Sequence, residues 1–291
     1  MKPGSDLHIH MALDGSDWKD AMGRHIERPD EAFIRSTLQE YKDTGITFLR
    51  DGGDKYGACM AAQKLAAEYG ITYIAPAFPI HKRGHYGGFI GRGWSTIDEY
   101  CELAEEAADK GADFIKIMIS GLMDFNEAGR LTESSLNDDE ILTIIDEAHD
   151  LGYAVMAHCN GSEAAIAAAR AGVESIEHGA FLNKEALHAM ADAGTVWIPT
   201  LSPIANLIGC GRFPDKALKY DLMTAQENIK YAVRIGIPIG CGSDAGAYMV
   251  PHVKGALTEY DLLHDTLGEK TDEVLANGEA IIKKMFSFAS D

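Results

Sequence analysis

Residues that can bind metal ions stand at the ends of several short apolar runs in this sequence. His8 and His10 are two positions apart in the run Leu-His-Ile-His. Side chains two apart on a β-strand point to the same face, so both imidazoles could bind one ion. His158, His178 and Asp244 follow three later apolar runs. Because neutral imidazole and carboxylate are the usual ligands of catalytic zinc, these residues predict a metal site.

A lysine interrupts a further apolar run, Phe-Ile-Lys-Ile-Met at 114–118. A charged ammonium among aliphatic side chains is costly and would repel a metal ion. An amine with a lowered pKa can instead react with carbon dioxide, and the resulting carbamate has two oxygens that could bridge two cations. Lys116 therefore favours a binuclear site. Taken alone, its amine could equally reach a neighbouring carboxylate.

Each of these features has an ordinary structural explanation when it stands alone. A His-x-His pair arises by chance, a histidine at a strand end is often a hydrogen-bonded core residue, and the Ser-Asp-Ala-Gly segment at 243–246 has the composition of a turn. Their conjunction changes the interpretation. Five segments carry metal-binding groups at equivalent ends of alternating units, and this arrangement favours one shared site.

The elements that would position these residues alternate in type. Eight runs are apolar on both faces, as expected of buried parallel strands; they are residues 7–10, 47–50, 72–75, 114–118, 154–157, 174–177, 196–199 and 238–241. Helical spacing lies between them, at residues 95–110, 137–151, 162–171 and 184–193, with Ser95 and Asn137 as predicted N-caps. Eight such units predict an α/β fold that closes into a (β/α)8 TIM barrel, with a doubly wound open sheet as the alternative.

No linker divides the chain, so we expect one catalytic domain over residues 1–291. The segments 11–18, 81–94, 122–131, 201–213 and 245–252 are expected to choose the substrate, because loops at the mouth of a barrel carry specificity. The glycine-rich segment 81–94 is expected to close over the site. Six candidate substrate contacts lie in these loops, and the guanidinium of Arg83 could bind a substrate carboxylate; the six are His81, Arg83, His85, Tyr86, Tyr248 and His252.

The composition narrows the class of partner. The net charge is -19, from 45 acidic and 26 basic residues, which disfavours nucleic acid and anionic membranes. The five cysteines form no Cys-x-x-Cys pair, and no apolar run approaches the ~18–20 residues of a membrane span. We therefore expect reduced thiols, a cytoplasmic location and a small-molecule substrate, with a homo-oligomer left open.

The ordered set of motifs resembles the amidohydrolase superfamily over nearly the whole chain. The resemblance rests on five segments: PGSDLHIH at 3–10, GADFIKIM at 111–118, VMAH at 155–158, SIEHG at 175–179 and GSDAG at 242–246. Around Lys116 and His178 the amino-acid sequence is most similar to the branch that contains imidazolonepropionase-like proteins and Xaa-Pro or Xaa-Arg/Lys dipeptidases. Most relatives carry a small β-sandwich, for which this chain shows no strands.

The resemblance implies a role for each residue of the predicted site. His8, His10 and Asp244 would hold one divalent ion, His158 and His178 a second, and carboxylated Lys116 would bridge them, with a hydroxide between the ions. Zinc is the expected metal, with manganese, iron or cobalt as alternatives. Asp244 would take a proton from the hydroxide and pass it to the leaving amine. The implied reaction is hydrolysis of an amide bond in a dipeptide, an N-acyl amino acid or a cyclic amide.

Three other functions remain open from the sequence. A mononuclear deaminase would use the His-x-His pair, a later histidine and an aspartate, but Lys116 argues against it. A phosphodiesterase or deoxyribonuclease-like barrel can begin with Asp-x-His-x-His, yet the net charge of -19 disfavours nucleic acid. A non-enzymatic protein that keeps the barrel would be expected to lose ligands, whereas this chain carries all six.

Overall fold

A computed structural model describes residues 3–286 as an alternation of strands and helices. The strands are β1 Ser5–Ile9, β2 Phe48–Asp51, β3 Thr72–Ile74, β4 Pro79–Lys82, β5 Arg92–Trp94, β6 Ile115–Met118, β7 Val155–Cys159, β8 Ser175–His178 and β9 Val196–Ile198. The helices are α1 Trp18–Gly23, α2 Glu31–Thr44, α3 Ala58–Ala66, α4 Ile97–Asp109, α5 Asp138–Asp150, α6 Ser162–Arg170, α7 Lys184–Ala193, α8 Ser202–Leu207, α9 Asp215–Ile235, α10 Lys254–Leu267 and α11 Thr271–Met285.

The strands form two parallel sheets, so the predicted α/β class is confirmed. One sheet has the order β1-β2-β3 and the other β5-β4-β6-β7-β8-β9. Backbone hydrogen bonds also run between them. Asp113 N donates to Ala75 O at 2.8 Å, which joins the ends of β3 and β6. On the other side, the segment 238–241 bonds to β9 through Trp197 N and Pro238 O, and to β1 through Leu7 N and Cys241 O, both at 2.9 Å.

Two of the predicted elements differ from the structure. Within the described residues, the eighth apolar run, 238–241, forms an isolated bridge between Ile239 and Trp197 and a hydrogen bond to β1, rather than a full strand. The glycine-rich segment 81–94 begins inside β4 and ends with β5, so it is not a loop throughout. The chain turns after β3, where Phe78 N donates to Pro76 O and Ala77 has a φ of 61°. The chain then re-enters the sheet as β4, beside β6. Because of this turn, the sequence pattern did not predict β4.

The predicted helices over 95–110, 137–151, 162–171 and 184–193 are confirmed as α4 to α7. Asn137 caps α5 as expected, in a capping box with Glu140. The predicted Ser95 cap is wrong, because Thr96 accepts the hydrogen bond from Glu99 N. The Ser95 hydroxyl instead accepts a bond from Arg83. Sequence spacing therefore located these helices, while the terminal residue depended on local side-chain competition.

The helices pack their apolar faces against the sheets. On α5, for example, the buried residues Ile141, Ile144, Ile145 and Ala148 follow the spacing of one helix face. The larger apolar cluster joins β4–β9 to α4–α7, and a second joins β1–β3 to α2 and α3. None of the helices within residues 3–286 combines the length and the apolar character needed to cross a membrane. This outer packing fixes the strands whose carboxyl ends carry the site.

Candidate metal centre

Three of the predicted ligands form a compact group at the carboxyl end of β1. The ligand atoms of His8, His10 and Asp244 all lie within 4.8 Å of one another. Asp244 Oδ1 is 3.6 Å from His8 Nε2 and 3.5 Å from His10 Nε2. Gly52 leaves room for this group, since a Cβ there would lie 2.4 Å from His10 Cε1. The arrangement could hold a metal ion among two imidazoles and one carboxylate.

The other predicted ligands line the same cavity. The ring centroid of His178 is 5.0 Å from that of His8 and 4.6 Å from that of His158. Lys116, on β6, is buried, and its Nζ has no hydrogen-bond partner among the described residues. The structure thus brings all six predicted ligands to one cavity: His8, His10, Lys116, His158, His178 and Asp244.

Burial sets the protonation states of this group. Burial, together with the charge of Lys116, lowers the pKa of His10 and of His158 to about 3. The pKa values of His8 and His178 also lie well below the usual range, first because of burial. The four imidazoles are therefore neutral near pH 7, the form that binds metal ions.

The two remaining ligands also have shifted pKa values. Burial lowers the pKa of Lys116 to about 8, so a sizeable fraction of its amine is uncharged near neutral pH. Burial raises the pKa of Asp244 to about 7. Both groups can therefore exchange protons near physiological pH.

His8 is oriented by a chain of buried polar residues that the sequence analysis missed. Its Nδ1 lies 2.7 Å from Glu177 Oε2, and Arg50 Nη2 donates to Glu177 Oε1 at 2.8 Å. Arg50 also donates to Ser175 Oγ and Leu7 O. A carboxylate only accepts, so the His8 proton is on Nδ1 and the Nε2 lone pair is free.

The unpartnered atoms fit a metal ion. Both His8 Nε2 and Lys116 Nζ are buried without a hydrogen-bond partner in the described part of the chain. A buried polar atom left unpaired is costly, so these atoms call for a ligand. An imidazole fixed by a carboxylate behind it is a common support for a metal-binding histidine. The donor set of this cavity therefore suits divalent cations.

The backbone at the site is held in an uncommon conformation. Seven non-glycine residues within 3–286 have a positive φ, and four of them line the cavity: His178, Phe181, Thr200 and Asp244. Such residues cost on the order of 1–3 kcal/mol each and persist only where the surroundings enforce them. The surroundings of His178 enforce its conformation, because Nδ1 bonds to Thr200 Oγ1 at 2.7 Å and the backbone carbonyl accepts a hydrogen bond from Trp197 Nε1 at 3.0 Å.

The cavity is open to solvent, and most of its wall is apolar. Its apolar lining residues are Phe89, Ile90, Met118, Leu122, Met123, Phe125, Ala180, Phe181, Pro199, Pro203, Ile204 and Ala225. The polar residues beyond the six ligands are Tyr86, Asn160, Thr200, Asp221 and Thr224. A mostly apolar pocket with a few polar groups is typical of a small-molecule site.

Of the six predicted substrate contacts, Tyr86 lines this cavity, and its ring centroid is 4.9 Å from that of His158. The other five are not among the described residues that line it. Arg83, the predicted partner of a substrate carboxylate, donates to Glu99 Oε2 at 2.5 Å instead. His252 is buried behind the site, with its ring nitrogens 3.1 Å from Tyr41 Oη and 2.9 Å from Leu13 O.

The remaining three candidate contacts have local partners. His81 Nδ1 lies 2.9 Å from Lys82 O, and His85 Nδ1 lies 3.8 Å from Glu133 Oε1. Tyr248 is exposed, with the Arg212 guanidinium 4.7 Å from its ring centroid. Closure of the segment 81–94 stays a prediction, although Tyr86, Phe89 and Ile90 from that segment do line the cavity.

Comparison with known proteins gives a family match over most of the chain. The protein-family model for the Amidohydrolase family matches residues 4–268 of this chain. An Aspergillus niger protein named ochratoxinase is 27% identical over 274 residues, covering 82% of this chain and 56% of its own length. An uncharacterized protein of Mycobacterium tuberculosis is 32% identical over 117 residues, covering 38% of this chain and 32% of its own length. The chain thus matches about half or less of these curated relatives.

Solved structures show the same fold. The crystal structure of A. niger ochratoxinase has a TM-score of 0.76 at 20% identity, covering 96% of this chain and 71% of that one. A Xaa-Pro dipeptidase with bound methionine in its active site has a TM-score of 0.73 at 20% identity, covering 97% of this chain and 74% of that one. The fold described above is therefore shared with these solved structures.

Proposed function

The chain belongs to the amidohydrolase family, and from this premise we propose that it is a metal-dependent hydrolase that cleaves an amide bond. One observation carries the proposal: six residues from five separate segments bring their metal-binding groups to one cavity. The names of the similar proteins denote enzymes that act on ochratoxin and on Xaa-Pro dipeptides. The apolar cavity wall suits a substrate with apolar groups on either side of the amide.

We further infer that the strands close into a (β/α)8 barrel within a single catalytic domain. Support comes from the hydrogen bonds that link β3 to β6 and that link the segment 238–241 to both β9 and β1. With these links every strand segment except β5, which pairs with β4, has a neighbour on both sides. The proposed ligands then stand at the carboxyl ends of the strands, where active sites of this architecture are found.

His8, His10 and Asp244 would hold one divalent ion, and His158 and His178 a second. Zinc is the proposed metal. Such ions, when bound, supply the Lewis acidity that polarises a carbonyl and lowers the pKa of water. The chain contributes neutral imidazoles, kept so by burial, and a fixed His8 tautomer through Glu177.

Lys116 would bridge the ions as its carbamate. The uncharged amine attacks carbon dioxide, a nitrogen–carbon bond forms and one proton is released. Two features of Lys116 support this step. Burial lowers its pKa to about 8, and Nζ has no partner among the described residues that would compete for its lone pair.

Asp244 would transfer the proton during hydrolysis. As a water oxygen bonds to the amide carbon, the Asp244 carboxylate accepts the proton that the water loses. It then donates this proton to the amide nitrogen as the carbon–nitrogen bond breaks. Burial raises the pKa of Asp244 to about 7, which suits both directions of transfer. Burial also raises the pKa of Tyr86, so its phenol stays protonated and can donate a hydrogen bond to substrate.

The test is metal analysis combined with a substrate screen. Purified protein is stripped with a chelator, reloaded with zinc or manganese, and assayed on dipeptides, N-acyl amino acids and cyclic amides. We expect two ions per chain, loss of hydrolysis after stripping and recovery after reloading. A His8→Ala, His10→Ala double variant serves as the matched control and should bind fewer ions. If carefully reloaded wild-type protein contained no more than a trace of metal, the proposal would be contradicted.

A further inference from the structure

A carboxylate on α9 lies in the cavity wall, and no cationic side chain within residues 3–286 pairs with it. Asp221 is only 3% exposed and lies on a helix whose buried residues are otherwise apolar: Leu218, Ile229 and Ala232. The apolar cluster beside it contains Leu218, with Leu222 and Phe213 packed against it. An acidic residue in such surroundings is rarely found without a compensating group.

The two oxygens of Asp221 differ in what they contact. Oδ1 accepts a hydrogen bond from the backbone N of Gly129 at 3.2 Å, which ties α9 to the segment that follows β6. Oδ2 is buried and has no hydrogen-bond partner among residues 3–286. Burial also raises the pKa of this carboxyl. An unpaired buried carboxyl oxygen is costly, so the free atom points to a ligand that the protein itself does not supply.

The residue that carries the free oxygen belongs to the same cavity as the metal centre. Asp221 lines it together with Thr224 and Ala225, which lie three and four positions further along α9 and share its face. Among the described lining residues, Lys116 is the only lysine or arginine. The cavity wall therefore has no free side-chain cation that could bind an anionic substrate group. Asp221 would repel such a group, because the two have the same charge.

We propose that Asp221 is a specificity-determining residue that binds an ammonium, amidinium or guanidinium group of the substrate while the amide lies at the metal centre. This assignment rests on the proposed hydrolase function and narrows it to amides that carry a positive charge. A cation would satisfy Oδ2 by a charge-assisted hydrogen bond. The net charge of -19 would also favour the approach of cationic molecules.

The variant Asp221→Asn separates recognition from a structural role. An asparagine keeps one oxygen that can accept from Gly129 N, so the link between α9 and the segment after β6 is preserved. It replaces the free oxygen with an NH2 group, which repels a cation. The matched control is Asp215→Asn on the same helix. Asp215 Oδ1 also accepts from a backbone N, that of Gly209 at 2.8 Å, but Asp215 does not line the cavity among the described residues.

Two pairs of amides report the preference, because the members of each pair differ only by the terminal ammonium group. N-acetyl-lysine anilide against N-acetyl-norleucine anilide places the charge on the acyl side. N-benzoyl-lysine amide against N-benzoyl-norleucine amide places it on the amine side. We expect wild type and Asp215→Asn to prefer the lysine member of at least one pair in kcat/KM. Asp221→Asn should lower kcat/KM for that member by roughly 10- to 100-fold, and for its norleucine partner by less than about 3-fold.

Calorimetric binding of the same pairs, with metal-stripped protein, makes the two proposals independently testable. Suppose that neither pair is hydrolysed, but that the lysine members bind more tightly and Asp221→Asn removes this preference. That result would contradict the hydrolase function for these amides and would retain the cation-binding role of Asp221. An equal kcat/KM for lysine and norleucine members in wild type, or an equal loss on both in Asp221→Asn, would overturn the assignment. An unchanged lysine preference in Asp221→Asn would overturn it as well.

Discussion

Two histidine–glutamate pairs in this protein have similar geometry and opposite electrostatics. His8 Nδ1 lies 2.7 Å from Glu177 Oε2, with both side chains almost fully buried. His149 Nε2 lies 3.1 Å from Glu174 Oε1, with side chains 32% and 21% exposed. The pKa of His8 is well below the usual range, whereas the pKa of His149 is raised. Contact with a carboxylate therefore does not decide the charge of a histidine by itself.

The surroundings account for the difference. At His8, burial lowers the pKa, and the nearby Lys116, His10 and Arg50 lower it further. Glu177 also shares its charge with Arg50, so it stabilises an imidazolium less. At His149, the hydrogen bond to Glu174 is the largest influence, and Asp146 and Asp150 raise the pKa further. The same pair of residue types thus gives a neutral imidazole in one region and favours an imidazolium in the other.

The largest expected effect comes from removing the buried amine beside His8. Lys116→Met keeps the length and apolar stem of the side chain, so stability should change by less than about 1.5 kcal/mol. Activity should fall by more than about 100-fold, since the loss of a bridging ligand should exceed the 10- to 100-fold typical of residues that only orient a ligand. Elemental analysis should also show fewer than two ions per chain.

Lys110→Met is the control for that change, because Lys110 is exposed and pairs with Glu106 on α4. It should keep wild-type metal content and activity. Bicarbonate added during reconstitution should assist wild type and Lys110→Met, but not Lys116→Met. An active Lys116→Met enzyme would rule out the carbamate bridge.

The next largest effect comes from changing the carboxylate that orients His8. In Glu177→Gln, the amide oxygen would remain with Arg50 and Ser175, which both donate to Oε1. The amide NH2 would then face His8 Nδ1 and shift the imidazole proton to Nε2. That nitrogen would lose its free lone pair, so we expect metal affinity to fall roughly 10- to 100-fold in a titration.

Glu174→Gln applies the same substitution to the exposed pair and serves as the control. It should leave metal affinity within about 2-fold of wild type, because Glu174 contacts His149 and Val155 N rather than a predicted ligand. Unfolding of metal-free protein should be measured in parallel, since Glu177→Gln also leaves Arg50 without its ion-pair partner. Equal metal affinities in the two variants would contradict the proposed role of Glu177.

The sequence predicted the site better than its supports. Each proposed metal ligand ends, follows or interrupts an apolar run, and this local pattern was enough to single it out. Arg50 and Glu177 are the last residues of the runs 47–50 and 174–177, and the reasoning applied to the other buried polar residues could have identified them. Their pairing could not be predicted, because they are 127 positions apart and meet only after the strands assemble.

Substrate contacts were the least predictable part. Asp221 lies in an ordinary amphipathic helix, where an acidic residue normally faces solvent, and its burial depends on how α9 packs over the cavity. Conversely, His252 and Arg83 stood in candidate loops but use their polar atoms on nearby residues. Loop conformation, unlike strand alternation, leaves no regular pattern from which side-chain direction can be predicted.

The smallest expected effect tests the exposed pair through pH. A raised pKa means that folding favours protonated His149, so the contribution of the pair is fully present below the unfolded pKa of about 6.5. It is lost as pH rises through the higher folded pKa.

In urea unfolding with a chelator present, wild type should exceed His149→Gln in stability at pH 6 by less than about 1 kcal/mol, the range of partly exposed pairs. That difference should shrink by pH 8.5. In a Glu174→Gln background the His149→Gln difference should depend less on pH, because the carboxylate that favours the imidazolium most is gone while Asp146 and Asp150 remain. A difference that stays constant or grows from pH 6 to pH 8.5 in the native background would show that His149 is not an ion-pair partner, and the contrast with His8 would then lose its electrostatic basis.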